Sequence, residues 1–337
     1  MLKIPVSMLD LVTVIQGDDS HRKAFERSLG YAQHAEKLGY RRYWFAEHHN
    51  MESVASAATS VLIAFVASGT STIRLGAGGI MLPNHSPLVI AEQFGTLASL
   101  YPGRIDLGLG RAPGTDPITS QALRRNLQSD VDNFPDDVVE LLNYMGDRDD
   151  KAPVKAIPGV GTHVPVWLLG SSTYSAQLAA LLGLPFAFAS HFAPTYLHQA
   201  IALYKQNFRP SKYLDKPYVM ACVNVIVGET DEEAAWLSTS FHQLALGIFR
   251  RDRKALPPPV DDMDLIWTPM EKQGVQQMMQ YSFIGGTQRV SVSLQRFIDE
   301  TNVDEIMISS HLYDADEKLK SMQRTAHLFS ERTIKFE

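Results

Sequence analysis

Residues 43–50 read Tyr-Trp-Phe-Ala-Glu-His-His-Asn. Four mostly apolar residues run straight into a carboxylate, two imidazoles and an amide. A short, continuous apolar run is how a strand buried on both faces of a parallel sheet reads. The titratable residues then sit at its C-terminal end.

The same step recurs along the chain. Strand candidates begin at Ile4, Tyr43, Ile73, Ile105, Val166, Phe186, Tyr218 and Glu305. Helical patterns separate them. One follows Ser20 as a candidate N-cap, carries Phe25, Leu29, Ala32 and Leu38 as a stripe, and stops at Gly39. Ser86-Pro87 reads as N-cap and N1 of another. Thr230 can cap a helix beginning "DEEAAWLS", and a further helix is expected from about Ser175 to Leu182. Eight strands with helical crossovers predict an α/β fold, a (β/α)8 TIM barrel forming one domain over residues 1–337. An open doubly wound sheet is the other arrangement of such elements. Residues 250–274 lack periodicity and are expected to be a lid, a mobile insertion or a solvated surface excursion.

Bulk properties narrow the function. In 337 residues, a hydrophobic fraction of 45% is enough for a sizeable core. The formal charge of −6, without a Lys/Arg run, speaks against nucleic acid. One cysteine, Cys222, excludes an internal disulfide and fits the cytoplasm. No apolar stretch approaches the roughly 18 residues of a membrane span. "MLKIPVSMLDLVTV" has neither the h-region nor the cleavage site of a signal peptide.

In a barrel the chemistry gathers where strands end. After the second strand come Glu47, His48, His49 and Asn50. Adjacent histidines diverge and HExxH spacing is absent, so acid–base work or structural imidazoles fit better than a metal. After the third strand, Gly76-Ala77-Gly78-Gly79 allows a bulge or close approach of a flat ligand. After the fourth, "GLGRAPG" misses the dinucleotide fingerprint, because its last glycine is one residue late and Pro113 stands where a helix should begin. It leaves Arg111 as a fixed cation for an anion or for an ion pair. After the fifth, Gly170-Ser171-Ser172 opens a helix, a setting that favours phosphate, with Tyr174 and Ser175 in the same segment. After the sixth, Ser190-His191-Phe192 brings an aromatic pair to the mouth. Residues 257–267 are further candidates to line a pocket.

"RYWFAEHHN", "LGAGGIMLPNHSPLVIAEQFGTLASLYPGRIDLGLGRAPGTD" and "PVWLLGSSTYSAQLAALLGLPFAFASHF" together resemble the bacterial-luciferase-like flavin monooxygenases, nearest their YhbW-type subgroup. The resemblance implies a (β/α)8 barrel, a homodimer, and use of reduced FMN delivered by a separate flavin reductase. It implies that O2 adds at flavin carbon C4a and is passed to a small organic substrate. It places the catalytic histidine on His48, a non-proline cis peptide on Gly78-Gly79, the phosphate-side arginine on Arg111, and phosphate hydroxyls on Ser171, Ser172 and Ser175. Gly78, Gly79, Gly170 and Tyr174 complete the expected flavin site. Gly110 stands where luciferases proper carry a cysteine, and Ser171 where they carry an acid, so an aldehyde substrate and light emission are not implied. Relatives on this barrel use the deazaflavin F420 for hydride transfer, which is the second expectation. A non-catalytic flavin carrier is the third. No metal and no nucleic acid are expected.

Overall fold

The computed structural model describes residues 1–112, 114–123 and 133–330. In chain order the strands are β1 (Val6–Asp10), β2 (Arg42–Phe45), β3 (Arg74–Met81), β4 (Ile105–Gly110), β5 (Val166–Gly170), β6 (Phe186–Phe188), β7 (Val219–Gly228), β8 (Ser282–Gly286) and β9 (Glu305–Ser309). Neighbours from β1 to β7 pair in parallel, and β9 joins β7 back to β1. The result is a closed barrel of the eight expected strands. Strand β8 was not expected. It lies outside the ring and extends one edge of β7: Asn224 pairs with Ser309 of β9 on one side and with Ser282 of β8 on the other. Strand β6 covers that edge only as far as Ala221, so β7 has free pairing groups beyond it.

The crossovers carry α1 (His21–Leu38), α2 (Thr59–Ser68), α3 (Pro87–Leu100), α4 (Pro117–Leu123), α5 (Phe134–Met145), α6 (Thr173–Leu182), α7 (Leu197–Asn207), α8 (Asp231–Arg250), α9 (Pro269–Met278), α10 (Thr287–Thr301) and α11 (Ala315–Ala326). No helix among the described residues is long and apolar enough to cross a membrane.

Alternation along each strand divides the core in two. Met8, Tyr43, Phe45, Leu107, Phe186 and Val223 belong to the large cluster shared with the helices. Their neighbours Leu9, Trp44, Ala46, Trp167, Ala187, Met220, Cys222 and Met307 form a separate lumen cluster.

The floor of the lumen is ionic. Arg42, at the start of β2, gives Nη1 to Asp106 Oδ2 at 2.7 Å and Nε to Glu305 Oε1 at 3.0 Å. Arg74 also holds Asp106. Trp44 Nε1 donates to the same carboxylate at 3.1 Å, and Tyr218 and Ser7 donate to Glu305. Trp44 and Trp167 meet edge-on at 5.3 Å above this layer, and the Arg42 guanidinium lies 4.8 Å from the Trp167 ring centroid.

Strands β3 and β4 pair in parallel. Their register slips by one residue between Ala77 and Ile80, and the Gly78-Gly79 peptide in that bulge is cis, as the resemblance implies. A Cβ on Gly79 would lie 2.6 Å from Gly108 O, and one on Gly108 would lie 2.3 Å from Ala77 O. Only glycine fits at either place.

The segment expected as a lid runs from α8 through an irregular strap into α9. The strap is fastened. Leu256 is fully buried, its N–H donates to Val14 O, and its carbonyl accepts Gln16 N–H, both at 2.8 Å. Val260 N–H donates to Thr239 Oγ1 at 2.8 Å.

Removing one partner from a buried ion cluster strands the others. Asp106→Ala is expected to lower unfolding free energy by about 3–5 kcal/mol. Lys320→Ala, which breaks an exposed pair with Glu317, should change it by roughly 0.5 kcal/mol or less. Urea denaturation followed by circular dichroism compares the two, and equal effects would refute the ionic-floor account.

Candidate active site

The ends of β2, β3 and β4 are tied into one unit. Glu47 follows β2 and is buried. Its Oε1 accepts His49 Nε2 and His85 Nε2, each at 2.8 Å, and its Oε2 accepts the Met81 N–H at 3.0 Å. Burial alone would raise this carboxyl. The two imidazole hydrogen bonds, the His85 charge and the Met81 amide outweigh it and bring the carboxyl down to about 2.

Glu47 therefore clamps its neighbours and leaves His48 alone. Asn50 does not orient His48 either, since its amide donates to Thr119 Oγ1 and Asp116 Oδ2. The backbone does this work: His48 Nδ1 lies 3.3 Å from the Gly114 carbonyl. A carbonyl only accepts, so Nδ1 carries the hydrogen and neutral His48 keeps Nε2 as a lone pair. Burial is the main cause that holds this imidazole below its ordinary value. At neutral pH it is a base without a proton on Nε2.

Arg111 follows β4. Its guanidinium lies 3.9 Å from the centroid of the Tyr174 ring, and no carboxylate among the described residues pairs with it. Tyr174 is in the first turn of α6. That helix starts two residues earlier than expected, with Ser172 as its N-cap: Ser172 Oγ accepts the Tyr174 N–H at 3.4 Å. Ser175 is buried in the first turn. A Cβ on Gly170 would fall 2.8 Å from the Ser175 Cβ, so Gly170 leaves room for that hydroxymethyl group. Arg111, Ser171, Ser172, Tyr174 and Ser175 thus share one corner of the mouth with the N-terminus of α6. Gly78 lies in the lumen wall, where a Cβ would meet Leu9 Cδ1 at 2.8 Å and Trp44 Cε3 at 3.2 Å. Gly79 is turned to β4.

The opposite wall holds Asn224 and His311, which the sequence reading passed over, beside the expected His191. Asn224 sits in β7, inside a run taken as plain apolar strand. Its amide donates to His191 O at 2.6 Å and Ser282 Oγ at 3.1 Å, while its buried Oδ1 has no partner among the described residues. An amide amid "VMACVNVIV" was the available signal. His191 packs edge-on to Phe192 at 4.9 Å, and burial pushes it down to about 3. His311 stacks on Phe241 and lies 3.1 Å from Ser309 Oγ. No cluster of three metal-ligating side chains occurs among the described residues. Above the ionic floor, the lumen between these walls carries the apolar cluster of Leu9, Trp44, Ala46, Trp167, Ala187, Met220, Cys222 and Met307.

The clamp has a pH signature. A carboxyl lowered on folding stabilises the fold above its ordinary value of 4.5 and loses that contribution as pH falls toward 2. Glu47→Gln should cost about 3 kcal/mol at neutral pH. It should also flatten the stability profile between pH 4.5 and 2. Denaturation midpoints across that range measure this, and parallel profiles for the two proteins would disprove the clamp.

The sequence pattern of the family described as luciferase-like monooxygenase matches residues 7–259. A luciferase-like monooxygenase of Escherichia coli K12 is 54% identical over 320 residues, covering 95% of each chain. The crystal structure of apo-MsnO8 superposes with a TM-score of 0.86 at 31% identity, covering 96% of this chain and 98% of the other. A more distant likeness, in fold alone, is to the oxygenating constituent of 3,6-diketocamphane monooxygenase from Pseudomonas putida in complex with FMN. Its TM-score is 0.70 at 15% identity, covering 96% and 97%. Barrel, strand-end chemistry and these matches agree that the chain belongs to the luciferase-like monooxygenase family.

Proposed function

We propose that the protein is a flavin-dependent monooxygenase that uses reduced FMN, delivered by a separate flavin reductase, and O2 to oxygenate a small organic substrate. The observation that carries this is the corner built by Arg111 and α6. A guanidinium without a carboxylate partner among the described residues rests on Tyr174 beside three serines and the N-terminus of a ten-residue helix. That donor set suits a phosphomonoester. Arg111, Ser171, Ser172, Tyr174 and Ser175 would hold the phosphate. Gly78, Gly79 and Gly170 would border the ring system.

Reduced flavin, when bound, supplies the two electrons that activate O2. The chain's own part is to exclude water and manage one proton. The lumen cluster of Leu9, Ala46, Ala187 and Cys222 keeps the inner wall apolar. His48 Nε2 takes or returns the proton, and Gly114 holds the ring in the tautomer that allows it. A cytoplasmic setting suits dependence on a reductase.

We further propose that the homodimer implied by the resemblance forms through α2 and α3. Val61, Phe65, Val89 and Leu100 are exposed on these helices, an apolar surface that a second copy would cover.

Two experiments test these readings. Anaerobic titration with reduced FMN, then stopped-flow mixing with O2, should give a transient distinct from oxidised and reduced flavin, shortened in His48→Ala. Arg111→Ala should weaken FMN about tenfold while leaving riboflavin, which lacks the phosphate, unchanged. Binding of F420 without reduced FMN would move the protein to hydride transfer. Flavin binding with immediate reoxidation and no effect of His48→Ala would leave a carrier. For the dimer, Phe65→Asp should shift the light-scattering mass to that of one chain, and an unchanged mass would reject this interface.

A further inference from the structure

The strap over the mouth carries a cation that none of the preceding chemistry uses. Arg253 lies three residues before Leu256, whose backbone is paired on both sides with the loop after β1. That pin sets where Arg253 can reach. Its Nη1 approaches Met51 Sδ at 3.4 Å, three residues beyond His48. A thioether is a weak acceptor for a group with five donors.

No carboxylate among the described residues pairs with Arg253. Its neighbour Asp252 is held by Lys254 at 2.8 Å. Of the acids at this rim, Glu47 is engaged by His49, His85 and Met81, and Asp116 by Thr119, Ile118 and Asn50; Glu52, beside Met51, acts through its charge on Lys254 and makes no ion pair with Arg253. The chain as a whole carries −6, so an anion reaching this mouth needs a local positive group. Arg111 meets that need at the α6 corner. Arg253 meets it on the other side of the His48 loop.

Resting on the monooxygenase reading, we propose that Arg253 is a specificity-determining residue that binds the carboxylate of an organic acid substrate, holding its reacting carbon chain beneath the strap and near His48. The fixed fork of the guanidinium suits a carboxylate bidentately. There is a consequence for His48. After burial, the Arg253 charge is one of the causes that keep its imidazole low. A carboxylate docked on Arg253 offsets that charge, so the substrate itself would make His48 a stronger base.

The test reads binding rather than turnover. Short- and medium-chain carboxylic acids, each beside its primary amide, are titrated calorimetrically into the full-length protein and into Arg253→Gln. Arg253 is exposed, and circular dichroism verifies that the variant is folded. In the wild type at least one acid should bind more tightly than its amide. Arg253→Gln should weaken that acid about tenfold and leave the amide unchanged. Lys254→Gln, one residue along, should leave both unchanged. Three outcomes overturn the assignment: no acid is preferred in the wild type, the preference survives in Arg253→Gln, or that variant loses FMN relative to riboflavin, which would give Arg253 to the cofactor. An Arg253-dependent preference in a protein that consumes no O2 would sink the monooxygenase reading and leave the organic-acid site standing.

Discussion

Arg42 from β2, Asp106 from β4 and Glu305 from β9 enter the barrel at its floor and meet in one buried ion cluster. Each belongs to a different strand, so the cluster fixes the relative height of those strands as well as neutralising charge. Trp44 hangs from the same Asp106 carboxylate, and Trp167 packs against it. The two indoles close the lower lumen. Whatever binds must therefore sit above them, at the ends of the strands.

Above that level the two halves of the mouth are built differently. On the β2–β4 side, position is held by hydrogen bonds between loops: the Glu47 clamp, the Gly114 carbonyl on His48, and Asn50 on the turn at Asp116. On the β6–β9 side it is held by strand pairing, extended by β8. This division places the base on the stitched side. Its tautomer is set by a loop from the next strand but one, so His48 chemistry depends on β4 ending where it does.

Much of this was legible in one dimension. Strand candidates were visible as apolar runs, and all eight form the ring. The residues just past them were visible as a change of chemistry, which singled out His48, Arg111 and the serines before α6. What was not legible depends on which loop meets which. The partner of Glu47 that completes the clamp, His85, is 38 residues away, and "PNHSP" has no feature that points to it. Strand β8 reads "SFIGG" and is mostly half-buried, so it lacks the apolar density that identified the others. Arg253 lies in an aperiodic stretch whose path over the mouth is decided by a single buried leucine. Ser172 and Ser175 are equally good caps by composition, and only backbone geometry chooses between them.

The seam between β3 and β4 bears on how such a protein can diversify. Gly79 and Gly108 have no space for even one added carbon, because each faces the other strand's backbone. That wall has no freedom to be reshaped by substitution. Ala187 and Cys222, across the lumen, are small side chains on ordinary strands, and the strap presents its residues from a loop. New substrate preferences would arise by changing those positions, while the glycine wall stays as a fixed template against which each new pocket is cast.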